Sequence, residues 1–231
     1  MALSDRMLLY LMTRSSGLRI RGGKGMKRGK KWLALALAAV MCMGMTACGA
    51  KEFDAAGYTK SVLDANYHGE YAAYAEFRQL SEDEAKAEIE DTVKQQIETE
   101  FAGRDISDEG MDACVKVFED MAALAKYEVK EAKKQDDGSF IVTVEIEPCT
   151  VYTTYKQHIT DVTIEKMNEG LDPMASDVLP TIIVEGLQRA IADNTYGEAQ
   201  TIEVKVTQNG DDAYGIEDSE MTKLETAMFP M

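Results

Sequence analysis

From residue 127 to residue 147 the apolar period of this chain is two. Tyr127, Val129 and Glu131 precede Gln135-Asp136-Asp137-Gly138, and then Phe140, Val142, Val144 and Ile146 alternate with Ile141, Thr143, Glu145 and Glu147. Alternation sends successive side chains to opposite faces of a strand, and Asp-Gly tolerates the backbone of a tight reversal, so the stretch predicts an antiparallel hairpin. Pro148 has no N–H to give a ladder and closes the second strand. A second hairpin is predicted where Ile202, Val204 and Val206 alternate with Thr201, Glu203, Lys205 and Thr207 before Asn209-Gly210 and a short strand around residues 213–216.

Elsewhere the period is helical. Tyr58, Val62 and Leu63 predict a helix over 53–66 that stops near Gly69, and Tyr71, Tyr74 and Phe77 predict another. Ser81-Glu82-Asp83-Glu84 reads as a capping box, followed by Ala85, Ile89, Val93, Ile97 and Phe101. A helix over 108–125 puts Met111, Cys114, Val115, Phe118, Met121, Ala122 and Ala125 on one apolar face. Further helices are expected over 151–168, over 176–192 with Pro180 near the first turn, and over 219–228. Hairpins make antiparallel pairs, so this order predicts an α+β fold with about four antiparallel strands in two hairpins and helices on one face. No Pro/Gly/Ser-rich linker interrupts residues 53–231, which predicts a single domain there.

The 231 residues carry a net charge of −16, unevenly spread. Residues 1–47 hold nine basic residues and one acid, which leaves −24 on residues 48–231. A strongly acidic domain is a poor nucleic-acid binder. Met26-Lys27-Arg28-Gly29-Lys30-Lys31 precedes the apolar run Trp32 to Met43, and Gly44-Met45-Thr46-Ala47-Cys48 follows, which is the basic, apolar, small-residue order of a secretory signal. The run from Trp32 to Ala47 falls short of the roughly 20 apolar residues that cross a bilayer as a helix. Residues 1–25 precede a signal that is already complete, so translation is expected to start at Met26, with 26–47 as the signal peptide and 48–52 as a tether.

Met45-Thr46-Ala47-Cys48 resembles the lipobox of bacterial lipoproteins. Met45 stands where that motif usually has Leu, and the competing Cys42 follows the bulky Met41. The resemblance implies a diacylglyceryl group on the Cys48 thiol, cleavage before Cys48, and a mature protein anchored in the cell membrane on its extracytoplasmic side. Two acyl chains anchor stably where one binds marginally.

A second resemblance covers most of residues 53–231. Tyr127-Glu128-Val129-Lys130-Glu131-Ala132-Lys133-Lys134, Asp136-Asp137-Gly138 and Val142-Thr143-Val144-Glu145-Ile146-Glu147-Pro148 are similar to an uncharacterised family of Gram-positive bacterial lipoproteins with a domain of unknown function, as are Leu63-Asp64-Ala65 with Gly69-Glu70 and Leu80-Ser81-Glu82-Asp83-Glu84-Ala85. That resemblance implies a cone-shaped α+β fold, nuclear-transport-factor-like or cystatin-like, and lends no activity.

Catalytic grammar is thin. His68 and His158 are the two imidazole bases, and no nucleophile elbow, phosphate loop or zinc signature accompanies them. Cys114 and Cys149 form a candidate disulfide, which an extracytoplasmic location permits, or are buried free thiols. Asp211-Asp212 and Glu217-Asp218 lack the calcium-loop spacing, and Asp136-Asp137 falls where turn chemistry already favours acids. Tyr127, Tyr152, Tyr155 and Tyr196 read as core or rim aromatics. The sequence therefore predicts neither an enzyme nor a cofactor or metal site, but a membrane-anchored binding module. The alternatives are an envelope hydrolase using His158 or an acid pair, and an inhibitor-like or assembly factor working through a sheet edge or a convex face.

Overall fold

The computed structural model describes residues 52–104, 106–208 and 213–231. Among them the helices are α1 (Ala55–Leu63), α2 (Ala72–Arg78), α3 (Glu82–Glu100), α4 (Asp108–Ala122), α5 (Val151–Asn168), α6 (Val178–Ala192) and α7 (Asp218–Met228). The strands are β1 (Tyr127–Lys134), β2 (Phe140–Ile146), β3 (Gln200–Gln208) and β4 (Tyr214–Ile216). Both predicted hairpins join one antiparallel sheet in the order β1-β2-β3-β4, and α5 and α6 lie in the connection between β2 and β3. The protein is an α+β fold.

Register follows the alternation. Phe140, Val142 and Val144 stand opposite Val206, Val204 and Ile202, and all except the half-buried Ile202 are at most 4% exposed. Tyr58, Val62 and Leu63 of α1 and Leu224 and Met228 of α7 are buried in the same core, while Thr143, Glu145 and Glu203 take the opposite, wetter side of the pleat. The alternation fails once. A bulge between Val129 and Ala132 inserts an extra residue into β1, so Ala132 takes the inward register opposite Val142 and Glu131, expected there from the spacing, stays in solvent. The first turn is a three-residue loop between Gln135 and Ser139, closed by the Gln135 N–H donating to the Ser139 carbonyl at 2.8 Å, with Gly138 at φ +82 in the left-handed region that Gly-containing hairpins use. The Asn209-Gly210 turn lies outside the described residues.

The capping box forms as predicted: the Ser81 hydroxyl accepts from the Glu84 N–H, and the Glu84 carboxylate accepts from the Ser81 N–H at 2.9 Å. The first helix starts later than its periodicity suggested, because Asp54 caps it by accepting from the Gly57 N–H at 2.8 Å. That leaves Phe53 outside the helix. Its ring stacks on Tyr214 at 4.1 Å and meets Tyr58, Phe77 and Phe140, which fixes the point where the chain enters the domain. The fourth helix ends at Ala122, three residues early, and turns Cys114, Val117 and Met121 fully inward in place of the wider stripe expected.

Two glycines let helices touch closely. A Cβ on Gly186 of α6 would lie 2.6 Å from Ile159 Cδ1 and 3.3 Å from Ile159 Cα of α5, and one on Gly110 of α4 would lie 2.9 Å from Pro180 Cγ of α6. The helix α6 accordingly packs on both α4 and α5, whereas α1 and α7 pack on strands.

Candidate functional site

After Leu63 the backbone widens into a π-helical turn, Asp64–His68, stopped by Gly69 in the left-handed region at φ +67. Asp64 and His68 both meet Tyr127 at the start of β1. The Tyr127 hydroxyl donates to Asp64 Oδ1 at 2.8 Å and contacts His68 Nδ1 at 3.2 Å, with the His68 and Tyr127 rings stacked at 5.1 Å. Lys60 pairs with the other Asp64 oxygen, and His68 Nε2–H donates to the Ala125 carbonyl at 2.9 Å. The single hydroxyl hydrogen of Tyr127 is committed to Asp64, so the contact with Nδ1 becomes a hydrogen bond when Nδ1 also carries a proton. Burial, the Asp64 hydrogen bond and the Asp64 charge all push the Tyr127 pKa up. A phenol held protonated donates hydrogen bonds and is neither base nor nucleophile. The cluster therefore latches the π turn to β1 and to the end of α4.

Beside the latch runs a seam of rings. Tyr67 lies 6.4 Å from Tyr127 and 6.0 Å from Phe229, Tyr152 lies 6.5 Å from Phe229, and Tyr155 lies 6.4 Å from Tyr152. Burial raises the pKa of Tyr67, Tyr152 and Tyr155, and the Glu225 charge adds to the rise at Tyr67 and Tyr152. Glu225 lies in the last turn of α7, and its carbonyl accepts from the N–H of Phe229, the residue that ends the helix, at 2.8 Å. It keeps an exposed edge, yet its neighbours strip enough water from the carboxyl to raise its pKa too. The Tyr155 hydroxyl is buried without a hydrogen-bond partner. Tyr67, Phe229 and Glu225 had no motif to announce them; they meet Tyr152 only because α7 returns to the start of α5, where the Cys149 N–H donates to the Met228 carbonyl at 2.8 Å.

Tyr196, the remaining aromatic considered from sequence, is on the rim, with its hydroxyl donating to the Leu124 carbonyl and Lys126 over its ring at 5.1 Å. Cys114 and Cys149 are not bridged. Both are free and buried, Cys114 acting on Tyr155 and Cys149 on Tyr152, and each behaves as a small apolar side chain. Burial pushes the Cys114 thiol up to about 11 and raises Cys149 as well.

His158 gains a carboxylate, with Nε2 3.0 Å from Asp193 Oδ2 just past α6. Among the described residues no hydroxyl or thiol joins the pair, which leaves a base and its orienting acid without a nucleophile. Asp137 caps its own turn by accepting from the Ser139 hydroxyl and N–H, then pairs with Lys205 at 3.1 Å; these contacts, Ser139 first, hold its pKa down at about 2. Glu217 and Asp218 stand at the start of α7. Asp211-Asp212 and Cys48 lie outside the described residues; among the described residues no group of three or more His, Cys, Asp or Glu could hold a metal.

The feature with no internal role is apolar. Ile164 is 51% exposed, Met167 58%, Leu171 44% and Met174 49%, four of the six large hydrophobics that stay exposed among the described residues. They gather at the end of α5 and in the loop after it. Glu169, Gly170 and Leu171 close α5 in a Schellman turn, with the Gly170 N–H donating to the Met167 carbonyl at 3.0 Å and the Leu171 N–H to Lys166 at 3.0 Å. That turn reverses the chain at Leu171, and Asp172 Oδ1 accepts from the Met174 N–H at 2.9 Å.

The fold and its surface thus define an α+β domain with a latched, aromatic interior and an exposed apolar tip. Its architecture is similar to the crystal structure of a candidate lipoprotein (ycdA) from Bacillus subtilis subsp. subtilis, with a TM-score of 0.54 and 13% identity over 78% of this chain and 57% of that one. At that identity the likeness is one of fold, and this chain spans little more than half of that protein's length. No family model matches the chain, and no curated protein matches it. The resemblance to a Gram-positive lipoprotein family therefore extends no further than this shared architecture.

Proposed function

We propose that the protein is a lipoprotein anchored through Cys48 in the extracytoplasmic face of a cell membrane, and that its domain is an interaction module working through the tip of α5. The observation that carries the second half is the cluster Ile164, Met167, Leu171 and Met174, since an apolar patch held rigidly in water marks a contact surface. A sheet edge is the poorer surface for such contact. The strand β1 carries a bulge and the charges Glu128, Lys130, Glu131, Lys133 and Lys134, which oppose strand addition, and the other edge, β4, has three residues. The anchor half is supported by the Met45-Thr46-Ala47-Cys48 motif behind a basic and apolar leader.

Phe53 is locked among rings at the Phe140 end of β2, and the five residues from Cys48 to Phe53 reach at most roughly 17 Å, which keeps the domain close to its anchor.

The test is to produce the parent and Cys48→Ala in cells with a photo-crosslinking residue at Met167, beside a control at Thr143 on the wet face of the sheet. The parent is expected in the membrane fraction and to cross-link at 167 but not at 143, with Cys48→Ala leaving the membrane or changing size. An unchanged location and size for Cys48→Ala sinks the anchor; no adduct at 167 sinks the module.

A further inference from the structure

The charges around the tip of α5 are not balanced. Its cations are engaged, Lys166 with Glu185 at 2.9 Å and Arg189 with Glu165 at 2.7 Å. Glu169, Asp172 and Asp177 are exposed and none makes an ion pair among the described residues; Glu169 shares the field of Lys166, which is already paired with Glu185, so the balance stays negative. The rim that remains uncompensated is therefore wholly acidic, around a core of Ile164, Met167, Leu171 and Met174. Ile164 and Met167 share one face of the last turn of α5, Leu171 and Met174 follow in the loop, and two of the four are methionines, whose flexible thioethers adapt to the shape of what they meet.

Resting on the interaction reading above, we infer that the occupant of this surface is a basic amphipathic helix of another protein, its apolar face on Ile164, Met167, Leu171 and Met174 and its lysines or arginines over Glu169, Asp172 and Asp177. Other occupants fit less well. A second copy brings the same acidic rim and another −24 of charge, so like charges meet across the contact. A bilayer surface is anionic or neutral and offers no cations to Glu169, Asp172 and Asp177. An apolar helix without basic residues leaves the three carboxylates desolvated at the rim with nothing to offset the loss. A basic helix satisfies both features together, the mode in which an amphipathic helix lays its apolar face on a complementary surface.

The full-length protein, purified in a non-ionic detergent, is titrated with a fluorescent leucine/lysine peptide of about 18 residues, about five helical turns, and with its leucine/glutamate counterpart, at about 0.15 M salt. The parent is expected to bind the lysine peptide and not the glutamate one. The uncharged variant Ile164→Gln/Met167→Gln/Leu171→Gln/Met174→Gln keeps the fold, since all four side chains are exposed, and is expected to lose roughly tenfold or more in affinity. Glu169→Gln/Asp172→Asn/Asp177→Asn is expected to weaken binding and flatten its salt dependence. Equal binding of the lysine peptide to the fourfold variant assigns it to diffuse attraction by an acidic protein and overturns the inference. So does equal binding of the glutamate peptide, a dimer of the parent that the fourfold variant dissolves, or binding to anionic phospholipid vesicles that the same variant abolishes. Loss of peptide binding alongside a persistent cross-link at Met167 overturns the basic-helix occupant and leaves the interaction module standing; loss of both removes the two together.

Discussion

Gly186→Ala probes how tightly α5 and α6 are packed. The new methyl lands 2.6 Å from Ile159 Cδ1, 3.0 Å from Cγ1 and 3.3 Å from Cα. Ile159 is 6% exposed and held between two helices, so its side chain has little room to turn aside, and its Cα can retreat only if the helices part. Overpacking of this kind costs about 1–3 kcal/mol. Alanine gains about 1 kcal/mol over glycine inside a helix; with Ile159 confined, the overpacking cost falls in the upper part of its range, about 2–3 kcal/mol, so the net loss is about 1–2 kcal/mol, or a fall of roughly 2–8 °C in Tm for a domain of this size. The atom responsible is identified by the companion change Ile159→Val, which deletes Cδ1 and by itself costs about 1 kcal/mol. If the 2.6 Å contact is the source, the double variant is more stable than the sum of the two losses by about 1 kcal/mol or more, because the methyl then enters the space Cδ1 vacated. Thermal and urea unfolding of the parent, both single variants and the double variant measure this cycle. A Gly186→Ala protein as stable as the parent, or strict additivity, refutes the close approach of these two helices.

Other expectations are simpler. Ser81→Ala removes one half of the capping box and is expected to cost about 1 kcal/mol in urea unfolding, with Ser81→Gly milder. Tyr127→Phe leaves Asp64, 6% exposed, without its phenol donor and is expected to cost about 1.5–3 kcal/mol, with His68 amide exchange accelerating as the π turn loosens. Glu225 is raised in the folded state, so its neutral form is the one that folding favours. Its contribution is complete below the ordinary carboxyl range and is lost as pH rises through its folded value, so Glu225→Gln is expected to gain stability relative to the parent as pH rises from below the ordinary carboxyl range to neutrality; a stability difference that does not change with pH contradicts this. Cys114 and Cys149 are expected to resist thiol reagents in the folded protein and to react as two free sulfhydryls once it is unfolded, and a disulfide recovered by mass spectrometry after aerobic purification counts against the structure.

Much of the architecture is legible in the chain because local patterns carry it. The alternation from Phe140 to Ile146 names the inward residues of β2 without error, and Ser81 with Glu84 marks the start of α3. Legibility ends where a backbone irregularity or a distant contact decides. The bulge that turns Glu131 outward leaves no mark in a charged strand, and the π turn at Asp64–His68 reads as the ordinary end of a helix. Cys114 and Cys149 could be read as partners or as core residues from the sequence, and the structure places both in the core as free thiols. Ile164 and Met167 look like core positions on an amphipathic helix, and only the placement of α6 and α4 shows that they face water.

By itself the sequence determined the α+β order of strands and helices and the acidic charge of residues 48–231, because period, capping chemistry and charge are properties of neighbouring residues. Tertiary structure alone decided that Tyr127 joins Asp64 to His68, that Tyr67 and Phe229 meet Tyr152, and that four apolar side chains are left uncovered at the end of α5. Those outcomes depend on which distant surfaces meet, and burial is a property of the packed chain rather than of any segment.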